Sequence, residues 1–345
     1  MTNNPKRRVA VMHGWLLDLL LVRVDEFYVG KANDEILGGY IRSSDRLFRI
    51  HQGIPIIYPY VLHRYLKKII VAYRQIPPDA WSSLRSDWFK YLRKQQAKLI
   101  LYGLLSLLRK KRVKEINILS VGCGKGWEIW LLVNYLRKMN IRFRIVGCDI
   151  SLRALYEAKR IARRCSLTTV DFVCAPAEFI PFKDSTFDMV LAIFGALDHS
   201  LMFPRAFREV SRVLTSGGVF IGTVLNKFAL DWMVKVLKSP SLFAKTVRYA
   251  NRLFARIRVP VGKRTIRIPT HFYNVFELNR LLAANGLKLI YLKGIFSLLP
   301  MNFKSKKFSF FHRMLSKIDN LLSASPIIRS IGRYVGFVAM KKEIN

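Results

Sequence analysis

The stretch INILSVGCGKGW, residues 116–127, constrains the fold of this chain more than any other. Its first half is apolar and rich in β-branched residues, which predicts a buried strand. Three glycines follow, Gly122, Gly124 and Gly126, and an apolar helix start begins at Trp127. A strand, a glycine turn and a helix in that order bring backbone N–H groups and a helix N-terminus to a place that a ligand can approach. We therefore expect a ligand site at this turn.

The spacing of these glycines is G-x-G-x-G, whereas the dinucleotide-binding fingerprint is G-x-G-x-x-G. The shorter spacing argues against NAD, because the pyrophosphate of NAD needs the longer turn. We expect instead a zwitterionic ligand that lacks a pyrophosphate.

Four further segments follow the glycine turn in order: GCDIS at 147–151, APAEFIPF at 175–182, FDMVLAIFGALDH at 187–199 and REVSRVLTSGGVFIGTV at 208–224. Together with VGCGKG, their order and spacing resemble the class I S-adenosylmethionine-dependent methyltransferases, in particular the methyltransferase type 11-like group. The resemblance extends approximately over 113–226. It implies S-adenosyl-L-methionine as the cofactor and an α/β fold with a Rossmann-like seven-stranded sheet of order 3-2-1-4-5-7-6.

Apolar runs alternate with helical patterns over this region, which predicts a parallel sheet with helices on both faces. The predicted strands lie at about 116–121, 144–149, 169–174, 187–194 and 218–225, and the helices at about 127–139, 152–164 and 203–214. Further along the chain we expect a helix over Asn274–Asn285 and strands over Leu287–Phe296 and Arg333–Lys341.

Two insertions interrupt this framework, at 226–270 and 297–332. By the family topology, both leave from the carboxyl ends of strands, which form the ligand-binding edge of an open α/β sheet. Basic residues recur at helical steps in the first insertion, opposite an apolar side, and predict a basic amphipathic helix. These residues are Lys245, Arg248, Arg252 and Arg256. Such a helix either meets a substrate or a membrane surface, or simply has one buried and one solvated face.

The chain before the resemblance divides into two predicted parts. Residues 1–60 are expected to form a small α+β module, whose ending FRIHQGIPIIYP is similar to the zinc-ribbon-like modules of the tRNA-methyltransferase-activator type. A zinc site needs about four N or S ligands, and this region has no cysteine, so we expect a metal-free module. Residues 61–112 predict a helical lead-in that packs on the main sheet, with a second helix from about Trp81 to Leu108. The methyltransferase domain with its insertions is predicted over 113–345.

The resemblance assigns the cofactor contacts to particular positions. The expected cofactor-binding residues are Ser120, Gly122, Cys123, Gly124, Gly126, Asp149, Ile150, Ala177, Glu178 and Phe194. Asp149 would accept both ribose hydroxyl hydrogens, and its alternative role is to cap the helix that follows. Ile150 would lie against the adenine, whose edge would meet the backbone of Ala177 and Glu178.

Two positions depart from the family's pattern. An acidic residue often stands two positions before the first glycine, where this chain has Ser120. An aspartate often binds the adenine amino group at the position of Pro176. Both changes remove hydrogen-bond acceptors, so a non-catalytic, methyltransferase-like docking protein is one alternative function.

His199 and Asp198 follow the fourth predicted strand, beside the expected position of the transferred methyl group. Displacement at a methyl group depends largely on positioning, and a base is needed only when the acceptor loses a proton. His199 is a candidate base because histidine titrates near neutral pH; alternatively, it caps a helix or contacts the cofactor carboxylate. His271 and Tyr273, just after the first insertion, are further catalytic candidates. The sequence contains no cluster of metal ligands, so we expect no metal in the reaction.

The formal net charge is +37, and most of it lies outside the region of resemblance. Residues 113–226 carry 15 basic and 10 acidic side chains, whereas 227–345 carry 23 and 4. Such a field favours anionic partners, although a basic composition alone can serve solubility. The leading prediction is methyl transfer to a small or lipid-like, anionic acceptor, by a protein in the cytoplasm or peripheral at an anionic membrane. The first alternative is an RNA methyltransferase that acts on rRNA or tRNA and binds phosphates through its basic flanks.

Overall fold

The computed structural model describes residues 12–21, 26–28, 31–32, 35–36, 39–43, 46–58, 60–77, 87–111, 114–193, 195–239, 241, 254–261, 264–299 and 309–343. Its first part consists of short strands and one short helix. These are β1 (Met12–His13), α1 (Trp15–Leu19), β2 (Glu26–Tyr28), β3 (Lys31–Ala32), β4 (Glu35–Ile36), β5 (Gly39–Ser43), β6 (Arg46–His51) and β7 (Ile54–Pro55). They form two antiparallel sheets, of order β1-β4-β3 and β2-β5-β6-β7.

This N-terminal part is joined to the rest of the protein through a shared core and through buried polar contacts. Apolar side chains from β1, α1 and β5 belong to the same buried cluster as the main sheet. The Ile57 amide donates to the Cys174 carbonyl oxygen at 2.9 Å. The buried Asp171 carboxylate accepts from the His13 amide at 2.7 Å and pairs with the Lys159 ammonium. Removing either the amide or the ammonium would leave a buried charge poorly compensated.

Two long helices follow, α2 (Tyr60–Gln75) and α3 (Asp87–Lys110). The second helix packs closely on the central sheet, as expected for the lead-in, since a side chain added at Gly103 would collide with Ile221. The first helix packs instead against a later hairpin, where Ala72 of the helix and Ile76, just after it, meet Ile268. The expectation that the whole lead-in lies on the sheet is therefore correct for α3 and wrong for α2.

The elements of the predicted framework alternate as expected, and the two insertions add helices and a hairpin. They are β8 (Glu115–Val121), α4 (Trp127–Lys138), β9 (Arg142–Asp149), α5 (Leu152–Arg164), β10 (Val170–Cys174), β11 (Phe187–Ala192), α6 (Phe203–Val213), β12 (Leu214–Leu225), α7 (Leu230–Leu237), β13 (Ala255–Val261), β14 (Arg264–Thr270), α8 (Val275–Ala284), β15 (Leu287–Ile295), α9 (Ser309–Leu322), α10 (Pro326–Ile331) and β16 (Tyr334–Lys341). The largest difference from the predicted bounds is at β12, which begins at Leu214 and not near 218.

The main sheet has seven strands in the order β10-β9-β8-β11-β12-β16-β15. Counted along the chain, this is 3-2-1-4-5-7-6, so the predicted fold is confirmed. The first five strands run parallel, and β16 is antiparallel to both of its neighbours. The central strands are buried on both faces because helices cover both, which explains their nearly continuous apolar sequence. The carboxyl ends of the parallel strands meet at one edge of the sheet.

The first insertion contains α7 and the antiparallel hairpin β13–β14. The predicted basic amphipathic helix falls mostly on 242–253, outside the described residues. Its last member, Arg256, lies in β13, so the helix prediction is wrong there. The reason is the alternation of basic and apolar residues in ARIRVPV and RTIRIPT, because a period of two favours a strand.

Candidate active site

A cavity of about 400 Å³ opens at the carboxyl edge of the parallel strands, where open α/β sheets bind ligands. The loops after β8, β9, β10 and β11 form one side, and α2, α3 and β13 form the other. The predicted site residues that line it are Gly122, Cys123, Gly124, Asp149, Ile150, Ala177, Glu178, Asp198 and His199. The structure places Ser120, Gly126, His271 and Tyr273 outside this lining, and Phe194 is outside the described residues.

Two glycines of the turn have different surroundings although both adopt left-handed backbone angles. Gly122 has φ +66°, and a Cβ there would lie 2.5 Å from the Cβ of Ala196. Gly124 has φ +51°, and a Cβ there would meet no atom within 4 Å. Gly122 is therefore needed for packing, whereas Gly124 borders the open space of the cavity and allows a ligand to approach the backbone.

The amides of the turn are bound within the protein. The Gly122 and Cys123 amides both donate to the Cys148 carbonyl oxygen, at 2.7 and 3.2 Å. The Gly124 amide donates to Asp149 Oδ2 at 2.8 Å. These three groups are thus not free to bind a pyrophosphate, and the expectation that the turn offers its own N–H groups is wrong for them. The turn lets a ligand come close to the backbone but offers it none of these three amide donors. This suits a ligand whose group at this point is cationic.

Asp149 is held by backbone donors on both of its oxygens. Oδ1 accepts from the Ser151 amide at 2.7 Å, and Oδ2 accepts from the Gly124 amide at 2.8 Å. Burial raises the pKa of Asp149, and these two hydrogen bonds oppose the rise. The cap of α5 is Ser151, whose Oγ accepts from the Ala154 amide, so the alternative role of Asp149 as that cap is wrong. Each carboxylate oxygen can accept a further hydrogen bond.

The missing acidic residue at position 120 has a counterpart nearby. The Ser120 hydroxyl donates to Glu128 Oε1 at 2.6 Å, and Glu128 lines the cavity. Burial raises the pKa of Glu128, whereas the Ser120 hydrogen bond and the nearby Arg93 lower it. A carboxylate from the first turn of α4 thus lies beside the place where the family often has one at the end of the first strand.

Arg93 brings a positive charge to the same part of the cavity. Its guanidinium carbon lies 4.4 Å from the ring centroid of Trp127 and 4.9 Å from that of Phe89. Stacking on aromatic rings suits the weakly hydrated guanidinium group. Burial lowers the pKa of Arg93, and the Glu128 carboxylate counteracts this. Sequence reasoning missed both charged residues, because nothing in the pattern of α3 or α4 shows that they line one cavity.

The expected adenine side of the cavity is formed by the ends of β9 and β10. Ile150 and Ala177 line the cavity there. The Glu178 carboxylate accepts from the Ser200 hydroxyl at 2.7 Å. This side chain therefore braces the loop after β11.

The protonation state of His199 follows from its neighbours. Nδ1 lies 3.3 Å from the Pro269 carbonyl oxygen and 3.2 Å from Thr270 Oγ1. The Thr270 hydroxyl itself donates to the Ile268 carbonyl oxygen at 3.1 Å, so both neighbours of Nδ1 act as acceptors. Nδ1 therefore carries the proton of the neutral ring, and Nε2 keeps a lone pair.

Burial lowers the pKa of His199 to about 4, so the ring is neutral at pH 7. Its Nε2 edge lies against Gly195 in the loop that borders the cavity, and its ring centroid is 6.1 Å from that of Tyr73. The alternative that His199 caps the next helix is wrong, because the N-cap of α6 is Met202. A neutral histidine with a lone pair on Nε2 can accept a proton from a bound hydroxyl.

Asp198 lies next to this histidine and lines the cavity. Its Oδ1 accepts from the Leu225 amide at 2.9 Å, whereas the buried Oδ2 makes no hydrogen bond with the described residues. Burial raises the pKa of Asp198 to about 8. At pH 7 this group is therefore mostly the neutral acid, which can donate a hydrogen bond.

His271 and Tyr273 support the loop after β11 from behind. His271 stacks on Phe203 with ring centroids 4.1 Å apart, and its amide donates to the Asp198 carbonyl oxygen at 2.7 Å. The Tyr273 hydroxyl donates to the Leu197 carbonyl oxygen at 3.0 Å, and the side chain is fully buried. Neither side chain reaches the cavity, so the expectation that they face an acceptor is not met.

The wall opposite the glycine turn is mostly apolar. Its residues come from three separate stretches and are Leu66, Ile69 and Tyr73 of α2, Phe89 of α3 and Ile257 of β13. Burial and the neighbouring carboxyl groups of Asp149 and Asp198 raise the pKa of Tyr73. The apolar stripe of α2 predicts a helix with a buried face, but only the tertiary structure shows that this face borders a cavity.

Residues 119–222 match the family model described as a methyltransferase domain. With the seven-stranded order of the sheet, this match makes the central domain a class I S-adenosylmethionine-dependent methyltransferase domain, and its cofactor is S-adenosyl-L-methionine. Over 286 residues the chain is 30% identical to the uncharacterized protein MJ1252 of Methanocaldococcus jannaschii, covering 82% of this chain and 95% of that protein. The chain belongs to the same family as that protein.

Two other similarities are more limited. A stretch of 75 residues is 40% identical to the mitochondrial 2-methoxy-6-polyprenyl-1,4-benzoquinol methylase of Leishmania donovani, covering 22% of this chain and 26% of that one. Among solved structures, the PH0226 protein from Pyrococcus horikoshii OT3 has a TM-score of 0.48 at 18% sequence identity, covering 78% of this chain and 98% of that one.

Proposed function

We propose that this protein transfers the methyl group of S-adenosyl-L-methionine to an apolar, lipid-like acceptor that carries a hydroxyl group. One observation carries the proposal: a single cavity joins the glycine turn and Asp149 to an apolar wall and to a neutral histidine. The charge of +37 favours an acceptor that is also anionic.

The residues of the cavity fit this cofactor. Gly124 leaves open space beside the backbone, and the Asp149 carboxylate has acceptor capacity for two ribose hydroxyl groups. Arg93 and Glu128 lie close enough to shift each other's pKa. A cation beside an anion matches the carboxylate and the ammonium of an amino-acid end. We therefore assign Arg93 to the carboxylate of the methionine part and Glu128 to its ammonium group.

When bound, the cofactor supplies an electrophilic methyl group on a sulfonium sulfur. The apolar side chains of α2, α3 and β13 orient the acceptor and exclude water, which lets positioning supply much of the rate. His199 Nε2 accepts the proton that the acceptor hydroxyl loses, while Nδ1 stays bound to the Pro269 carbonyl oxygen. Asp198, in its protonated form, donates a hydrogen bond within the same site.

The apolar wall is the reason to favour a lipid-like acceptor over RNA. Aliphatic side chains such as Leu66, Ile69 and Ile257 have no affinity for phosphates, which RNA-binding sites contact through cations. The limited similarity to a methylase whose name includes a polyprenyl benzoquinol also supports a lipid-like acceptor. RNA methylation and a non-catalytic docking role are the competing outcomes of the test.

Two measurements test the proposal. Calorimetry should detect binding of S-adenosyl-L-methionine, and its complete absence would favour the docking role. The protein is then incubated with cofactor labelled in the methyl group and with cell extract, and the label is followed into lipid, RNA and water-soluble fractions. We expect label in the lipid fraction for the wild type, and labelling that is about a hundredfold slower for His199→Ala. Label confined to RNA would overturn the proposed acceptor.

A further inference from the structure

The helix α7 exposes apolar side chains to an unusual degree. Phe228, just before the helix, is 49% exposed, and Leu237 at its end is 76% exposed. Between them lie three further exposed apolar residues, Trp232, Met233 and Val234. Within the helix only Val236 is buried. Large apolar groups clustered in this way on a surface indicate an interaction site.

Lysines surround this apolar group. Lys227, Lys235 and Lys238 are all exposed, and they lie within and on both sides of the helix. Tryptophan and long basic side chains together are typical of segments that lie in the headgroup region of a bilayer. None of the described helices has the length and apolarity to span a membrane, so contact through α7 would be with the surface of one leaflet.

The helix is connected to residues that line the cavity. It follows β12, whose last residue Leu225 lines the cavity. Arg333 donates to the Asp231 carboxylate of the helix at 3.4 Å, and the residue after this arginine, Tyr334, also lines the cavity. α7 is therefore linked to the lining of the cavity both through the chain and through this ion pair.

We propose that α7, with its flanking residues 227–229 and 238, docks the protein on an anionic membrane surface. The positive charge of α7 and its flanks favours an anionic membrane over a second copy of the chain. A two-fold contact through α7 would bring its lysines towards those of the partner. The apolar side chains select a bilayer over a nucleic acid, whose surface is lined with phosphates. The purpose of docking rests on the proposed function, since a lipid-like acceptor resides in a membrane. The test of docking does not depend on that function, because it measures binding to vesicles.

Flotation of the full-length protein with vesicles measures this docking. The wild type should bind vesicles that contain phosphatidylglycerol and bind poorly to pure phosphatidylcholine, and added salt should weaken the binding. The double variant Trp232→Ser/Leu237→Ser should bind at least about tenfold more weakly, because two apolar side chains no longer enter the interface. The matched control is Phe276→Ser on α8, whose side chain is 87% exposed, and it should bind like the wild type.

A second variant keeps the test decisive if the double variant does not fold. Lys235→Glu/Lys238→Glu changes exposed charges only, and it should lose binding to anionic vesicles. Binding that is unchanged in both α7 variants would overturn the proposal, and so would a loss of binding in Phe276→Ser as large as theirs. So would light scattering that shows a wild-type dimer and a monomeric Trp232→Ser/Leu237→Ser variant, because α7 would then be a self-association face.

Calorimetry with S-adenosyl-L-methionine on the same samples separates this proposal from the proposed function. A wild type that binds the cofactor but no vesicle overturns the docking of α7 and leaves methyl transfer standing. A wild type that binds anionic vesicles but no cofactor overturns methyl transfer and leaves the docking of α7 standing.

Discussion

The two sides of the cavity are built in different ways. The cofactor side consists mainly of turns within one region, over 122–128 and 149–151, each at the end of a strand of the sheet, and Arg93 of α3 joins them. The acceptor side combines His199, after β11, with apolar side chains of α2, of β13 and of the start of α3, which are far apart in sequence and belong to the segments that flank or interrupt the framework. The first side is nearly balanced in charge, whereas the flanks carry most of the +37. The comparison suggests that cofactor binding and acceptor choice can be altered separately.

The largest effect is expected at Asp149. Asp149→Ala should weaken binding of S-adenosyl-L-methionine about a thousandfold, because two hydrogen bonds to a charged group are lost, at roughly 2 kcal/mol each. Calorimetry measures the change. Asp184→Ala is the control, since it removes an exposed carboxylate that pairs with Arg212, and its affinity should equal that of the wild type. Equal affinity in both variants would contradict the role of Asp149.

Substitution of the two glycines should separate stability from binding. Gly122→Ala should lower the free energy of unfolding by about 3 kcal/mol, because backbone strain adds to a collision with Ala196. Gly124→Ala should lower it by only about 1 kcal/mol, since its Cβ meets no atom. Urea unfolding measures both changes. Calorimetry should show that Gly124→Ala reduces the free energy of cofactor binding by more than it reduces the free energy of unfolding. Equal destabilisation by both would show that the surroundings of the two glycines do not differ as described.

On the acceptor side, His199→Ala should lower kcat about a hundredfold through loss of the proton acceptor, with unchanged affinity for the cofactor. His51→Ala, outside the cavity lining, is the control. The pKa of about 4 means that the wild-type ring is neutral above pH 5, so kcat should be level from pH 6 to 7 and should fall below about pH 5 as Nε2 takes up a proton. A drop in cofactor affinity comparable to the drop in kcat would instead assign His199 to cofactor binding.

The smallest effect is expected at Glu128. Glu128→Gln keeps the shape of the side chain but removes its charge, so cofactor binding should weaken about tenfold. Glu157 on α5 is half-buried, pairs with Arg160 and lies outside the cavity lining, so the control Glu157→Gln should bind the cofactor normally. Unchanged affinity in Glu128→Gln would mean that the carboxylate does not replace the acidic residue absent at position 120.

The sequence alone determined the framework of this protein. Strands that are buried on both faces carry long apolar runs, and glycines at fixed spacing mark the turn, so the alternation of strands and helices and the position of the turn followed from local patterns. The sheet order and the expected role of Asp149 followed from the resemblance of five motifs to the class I methyltransferases. These signals are local because the cofactor side is formed where single strands end. The tertiary structure decided the rest: that Glu128 lies beside Ser120, that Tyr73 and Ile257 share a wall, and that His271 and Tyr273 lie behind the site. These placements depend on packing between elements that are distant in sequence, and a helical or alternating pattern shows that a face is buried without showing what it is buried against.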